Sequence, residues 1–264
     1  MDKFGNGLYG ATIGDICGSI YERYNRKTDR PEEIELVRPD CLFTDDTVLT
    51  AAIAAALLKD RNYGAALYEW ANKYPTIGYA GMFYEWFHSE NPQPYNSWGN
   101  GSAMRVSPIG WYFDDEDLVL AEAKLSAEPT HNHPEGIKGA QAVALAILLA
   151  RQGQEKKLIQ STIQERFEYD LNRTLAEIRP NYKCDLACIS CQGSVPEAII
   201  AFLESHDFVS AIQNAISIGG DSDTIACITG SIAEAYYDEI PENLKAFAQS
   251  KLPEDIREAL GIVS

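Results

Sequence analysis

Apolar residues recur at steps of three and four along most of the chain, most plainly in six segments. DTVLTAAIAAALLK (46–59), GAALYEWANKY (64–74), PEGIKGAQAVALAILLARQ (134–152), VPEAIIAFLES (195–205), FVSAIQNAISI (208–218) and DTIACITGSIAEAYY (223–237) all suit helices rich in Ala, Leu and Ile. Pro196 stands near the start of its segment, where a missing N–H costs little. Past Gly139 the 134–152 segment is apolar on nearly every side, the pattern of a helix enclosed by others. Period-two alternation is scarce: VSPIGWYF (106–113) is β-prone but has no convincing partner strand. The pattern predicts an all-α fold of about a dozen helices, a single domain over 1–264 without internal repeats. The polar stretch from Gln152 to Asp185 lacks the Gly, Pro and Ser richness of a linker and is read as a surface helical hairpin.

GNGLYG (5–10) spells G-x-G-x-x-G, yet only MDKF precedes it, so the strand that a dinucleotide-binding turn requires is missing. Gly7, Gly10, Gly14 and Gly18 instead recur at three- and four-residue steps, the spacing of a small-residue helix face built for close packing.

The 264 residues, 45% hydrophobic, are ample for a core. MDKFGNGLYGATIGD has acids and glycines where a signal peptide needs an apolar run, and AVALAILLA (142–150) is too short to span a bilayer. A soluble, cytoplasmic protein is expected, monomeric by default. A formal charge of −17 argues against broad nucleic-acid or anionic-membrane binding. An anionic ligand would then need metal ions, helix N-termini or a placed arginine to attract it. Cysteines 17, 41, 184, 188, 191 and 227 are read as reduced thiols. The C-x3-C-x2-C spacing of 184–191 can hold an iron–sulfur cluster, but the expected α/β barrel is absent, and plain thiols are preferred.

Two acidic stretches stand out. FTDDT (43–47) and GGDSDT (219–224) each place two carboxylates and a threonine at the start of an apolar helix. Capping alone needs one acid, and such acids add only ~0.3–1 kcal/mol. Gly219–Gly220 suggests a backbone that must approach something closely. If the two helix starts meet, each carboxylate pair ~4 Å apart repels by ~4 kcal/mol at an effective dielectric of ~20. Protonation or divalent cations must relieve that repulsion. Oxygen-only ligands select Mg2+, Mn2+ or Ca2+ over Zn2+, and Ile225 and Ile232 rule out an EF-hand loop. Two hard cations between the two helix starts is the preferred reading.

With GDICGSIYE (14–22), FTDDT (43–47), GYAG (78–81), SWGNGSAMRVSPIGW (97–111), THNHPEG (130–136), CQGSVPEAI (191–199) and GGDSDTIACITGSI (219–232), the chain resembles the ADP-ribosylglycohydrolase family. That family includes the dinitrogenase-reductase-activating glycohydrolases and the ADP-ribosyl-acceptor hydrolases. The resemblance implies an orthogonal helical bundle with a dinuclear Mg2+ or Mn2+ cleft. It implies hydrolysis of the bond between C1″ of ADP-ribose and an acceptor, either a modified protein side chain or a small molecule. By motif match it implies Thr44, Asp45, Asp46, Asp221, Asp223 and Thr224 as metal ligands, with Asp45 or Asp46 also available as base. It further implies Gly78, Tyr79, Ala80, Gly81 and Met82 as the loop around the diphosphate, and Ser97, Trp98, Gly99, Asn100 and Gly101 along the distal ribose and diphosphate. His131 falls near the ribose, and Glu22 matches a functional glutamate that handles a proton. Arg105 is either a fixed charge for the ligand or the partner of an internal acid. His133 is read as a cap, and Trp98, Tyr79 and Phe83 are candidates to stack on adenine. Two other readings stay open: a two-metal phosphoesterase on nucleotide diphosphates and a non-catalytic binder of ADP-ribose.

Overall fold

The computed structural model describes residues 4, 7–183 and 185–262. Its helices are α1 (Gly10–Tyr24), α2 (Asp45–Lys59), α3 (Tyr63–Lys73), α4 (Gly81–Phe87), α5 (Gly101–Met104), α6 (Ser107–Tyr112), α7 (Glu116–Ala127) and α8 (Pro134–Arg151). There follow α9 (Lys156–Phe167), α10 (Leu175–Asn181), α11 (Cys191–Leu203), α12 (Phe208–Ser217), α13 (Ser222–Tyr237), α14 (Glu242–Lys251) and α15 (Glu254–Ala259). Among the described residues no strand forms, and the all-α expectation holds; an isolated bridge joins Gly99 to Ser190.

The centre of the molecule is α13, buried from Ser222 to Ala235 and packed on α1, α8, α11 and α12. Its contact with α1 is unusually close because glycines face it. A Cβ on Gly14 would stand 2.0 Å from the carbonyl oxygen of Ala226, and one on Gly10 2.2 Å from that of Gly230. On Gly18 it would stand 2.5 Å from the Cα of Asp223. The small-residue face is thus real for these three positions. Gly7 departs from it: it precedes the helix at φ +92 and turns against Gly261 and Ile262. Gly5 and Asn6 of the GNGLYG stretch lie outside the described residues.

No side chain at Tyr9 caps α1. Glu234 of α13 does so from the far end of the sequence, its two oxygens accepting the Tyr9 and Gly10 N–H groups at 2.9 Å each. Burial pushes the Glu234 carboxyl up to about 7.

The six long segments fold as helices close to their expected limits, and α8 is buried from Ala142 to Ala150 as its pattern implied. The fourth differs at its start: α11 begins at Cys191, because the Ser190 hydroxyl accepts the Gly193 N–H, and Pro196 therefore lies inside the helix. The 152–185 stretch is a helical pair, α9 and α10, the latter closed by a Thr174–Glu177 capping box. VSPIGWYF becomes α6, with Pro108 at its start and Gly110 pressed on Ile147 of α8. Cys17, Cys41, Cys188, Cys191 and Cys227 are buried, and Cys191 Sγ donates to the Gly99 carbonyl. Cys184 lies outside the described residues.

Candidate functional site

Three chain segments bring acids to one place. Asp15 and Glu22 lie seven residues apart on α1, and so on one face of it. Asp45 and Asp46 form the first turn of α2, while Asp221 precedes α13 and Asp223 lies in its first turn. The close α1–α13 packing sets the first and last of these side by side. One oxygen from each of Glu22, Asp221 and Asp223 falls within a group no more than 4.8 Å across. The α2 start joins it through Thr224, whose hydroxyl donates to Asp46 Oδ1 at 3.3 Å.

Helix capping does not account for these acids. Thr44, not an aspartate, caps α2, its hydroxyl accepting the Asp46 N–H at 3.3 Å. Asp221 makes no capping bond; its carboxylate accepts from Asn100 Nδ2 at 2.6 Å, and Asn100 also donates to Ser194 Oγ at 2.9 Å. Gly219 and Gly220, both left-handed at φ +79 and +69, make the sharp turn that delivers Asp221. Their close approach is to Asn25, whose side-chain oxygen accepts the Gly220 N–H, and to the ring of Tyr182.

The electrostatics are one-sided. Asp45 is pushed up to about 8 by burial and then by its neighbours Asp15 and Asp221. Asp46 and Asp223 are pushed well above the carboxylate range, again by burial first and adjacent carboxylates second. Glu22, at the solvent-exposed edge, is raised by partial burial, Asp221 and Asp15. Among the described residues no cation figures among the main influences on these four. Asp46 Oδ2 is buried with no hydrogen-bond partner.

Asp15, which no motif argument singled out, organises the α2 start. Its carboxylate accepts from the Thr44 N–H at 2.9 Å, the Thr44 hydroxyl at 2.7 Å and the Thr47 N–H at 3.2 Å, with the Thr47 hydroxyl as a fourth donor. Those bonds oppose the burial that raises its pKa. The signal was available: GDICGSIYE puts Asp15 and Glu22 at a two-turn spacing.

The acids floor a cleft of about 600 Å³. Gly78, Ala80, Gly81 and Met82 line one wall; Ser97 to Gly101 and His131 line another. Nothing lies within 4 Å of where a Cβ would stand on Gly78 or Gly81, so backbone there faces open space. Tyr79 is not among the lining residues: its ring packs on Phe83 and Phe87 at 5.2 Å. Phe83 touches the cleft but is buried against Trp86, whereas Trp98 is 40% exposed at the mouth. His133 caps α8, its Nδ1 accepting the Glu135 N–H at 3.1 Å. Arg105 is fully buried and has no acidic partner among the described residues; it donates to the Ser126 carbonyl and the Thr130 hydroxyl.

Comparison with known proteins bears on the family and the fold. The sequence model of the ADP-ribosylglycohydrolase family matches residues 1–261. The chain is similar to the ADP-ribosylhydrolase ARH3 of Mus musculus, 29% identical across 92% of this chain and 86% of that one. It is likewise 29% identical to the ARH3 protein of Homo sapiens, over 92% and 88% of the two chains. A solved structure described as an ADP-ribosylglycohydrolase-related protein complex superposes with a TM-score of 0.74 at 22% identity, covering 99% of this chain and 96% of that one. That last likeness speaks to the fold.

Proposed function

Since the chain belongs to the ADP-ribosylglycohydrolase family and is a hydrolase of ADP-ribose linkages, we propose that its cleft cleaves the C1″ bond joining ADP-ribose to an acceptor. The acceptor is a modified protein side chain or a small molecule. We further propose two divalent cations, Mg2+ first and Mn2+ second, held by Thr44, Asp45, Asp46, Asp221, Asp223 and Thr224, with Glu22 at their edge.

The residues fit such ions. Carboxylate and hydroxyl oxygens without sulfur or imidazole are the ligands that hard cations take. Among the described residues Asp46 Oδ2 has no hydrogen-bond donor, and burial first and neighbouring carboxylates second raise these carboxyls with no cation to offset them. Cations bound there supply an electrophilic hold on ribose hydroxyls and a lowered pKa for water.

Glycoside cleavage develops positive charge at the anomeric carbon. A floor of carboxylates beneath the sugar favours that charge. Glu22 is open to solvent while its carboxyl is raised, which suits it to take a proton from the attacking water and return it to the leaving group. Asp45 is the second candidate base. The backbone of Gly78 to Met82 and of Ser97 to Gly101 offers N–H donors to the diphosphate without adding net charge to the protein. Asp15 keeps Thr44 and the α2 start in register.

The convergence of the Asp46 and Asp223 regions through the Thr224 hydroxyl carries this reading. Asp45→Asn and Asp221→Asn are expected to lower ADP-ribose release at least a thousandfold with helical circular dichroism intact. Removing divalent ions with EDTA should do the same, and Mg2+ or Mn2+ should restore it; full turnover in EDTA ends the metal reading. Glu22→Gln should lower kcat by ~100-fold or more with KM little changed. Arginine-, serine- and acetyl-linked substrates read out the acceptor. Free ADP-ribose as product marks glycoside cleavage, and AMP with ribose phosphate would mark a phosphoesterase instead.

A further inference from the structure

The wall of the cleft contains a buried cation that no carboxylate of the described residues neutralises. Arg105, the residue after α5, is 0% exposed, and its Nε and one terminal nitrogen have no partner. Its other terminal nitrogen donates to the Ser126 carbonyl at 3.1 Å and to Thr130 Oγ1 at 2.8 Å. Thr130 Oγ1 in turn stands 2.7 Å from His131 Nδ1. Burying an unpaired guanidinium is costly, so its retention calls for a role.

Its charge supplies one. A guanidinium only donates, and a threonine hydroxyl has a single proton. Thr130 Oγ1 can accept twice and also meets Tyr95, but the Arg105 charge beside it disfavours an N–H pointing that way and so favours a bare, accepting Nδ1 on His131. The ring proton is left on Nε2. The main chain holds the ring in place: the Thr130 and His131 N–H groups both donate to the Ala127 carbonyl, at 3.1 and 2.7 Å. The ring also lies beside Tyr95, centroids 6.1 Å apart. Nε2 would lie 3.1 Å from a Cβ on Gly101 and 3.5 Å from one on Gly99, so it faces the glycine wall of the cleft.

Resting on the function proposed above, we propose that Arg105 and Thr130 are positioning residues that fix His131 as its Nε2–H tautomer. The ring is thereby a hydrogen-bond donor aimed past Gly99 and Gly101 at a hydroxyl or phosphoryl oxygen of ADP-ribose. Burial and the nearby Arg105 charge also hold His131 well below the usual imidazole range, which keeps the second ring nitrogen free to accept. The arrangement explains why Arg105 needs no acid: a carboxylate there would compete for its N–H groups and cancel the charge that keeps the imidazole neutral.

The test is spectroscopic and needs no turnover. Long-range proton–nitrogen correlation of the full chain labelled with 15N-histidine, at neutral pH, resolves the tautomers of its 4 histidines. His131→Gln identifies the His131 signals by their loss. The wild type and Thr130→Ser should show His131 protonated on Nε2 alone. Thr130→Val should lose that preference, and ADP-ribose should bind it about tenfold more weakly by calorimetry with Mg2+. A wild-type ring protonated on Nδ1 or on both nitrogens overturns the relay, whatever the variants do. An unchanged tautomer in Thr130→Val overturns it as well. If wild type binds no ADP-ribose, the function proposed above and the ligand assigned to Nε2–H both fail, while the spectrum still decides the tautomer.

Discussion

Asp15 and Asp46 are both buried aspartates of one cluster, yet their surroundings demand opposite things of them. Asp15 satisfies two main-chain N–H groups and two hydroxyls. Asp15→Ala strands those donors, and its cost should be about 3 kcal/mol by urea denaturation, with activity falling in parallel. Asp46 has one weak donor and an oxygen with none, amid like charges. Asp46→Asn should therefore abolish turnover while raising the melting temperature in EDTA at pH 8. If both variants lower stability equally, the distinction between scaffold and site is wrong. A sequence shows these residues with the same letter, and only the donors around each tell them apart; the acidic doublet drew attention to Asp46 as a candidate ligand, whereas Asp15 had only its two-turn spacing from Glu22 to mark it.

At the level of elements, the close approach of α1 and α13 decides whether a site exists. Each carries part of the acid cluster, and the glycines between them set its width. Gly14→Ala places a methyl 2.0 Å from a main-chain oxygen that a central helix cannot move cheaply. The expected loss is on the order of 3 kcal/mol in denaturant titration, with ADP-ribose release lost even where the variant folds. Gly64→Ala, whose methyl would meet nothing closer than 3.6 Å, is the control and should be close to neutral. The long helices were readable because about three turns or more of apolar periodicity leave little choice. Short ones such as α4, α5 and α6 were not: GMFYEWF, GSAM and SPIGWY carry too few turns for a period, and tertiary contacts alone hold them helical. Trp98 was placed at the cleft, but Tyr79 turned to an aromatic cluster, since aromatic residues in sequence do not announce which neighbour they will meet.

For the whole molecule, charge and pH are coupled. Carboxyls raised on folding contribute stability that is complete below their unfolded pKa of ~4 and lost as pH climbs through the folded values. Those values reach about 7 for Glu234 and about 8 for Asp45, with Asp46 and Asp223 shifted the same way. Glu234 alone amounts to roughly 3 kcal/mol by pH 8. The chelated protein should thus melt lower at each step from pH 5 to pH 8, by several degrees overall. Saturating Mn2+ or Mg2+ should flatten that decline, because ionised ligands then have counter-charges. A chelated protein that grows more stable across this range contradicts the picture. Among the described residues no helix is long and apolar enough to cross a membrane.

The cap that Glu234 places on α1 also orders events during synthesis. The first helix emerges from the ribosome with its leading N–H groups unanswered and its glycine face bare, and neither is remedied until α13 has been made. Four of the cluster's six acids therefore wait, unassembled, until Asp221 and Asp223 have been made. Arrested nascent chains ending before residue 222 should leave α1 open to protease, and those extending well past residue 237 should protect it.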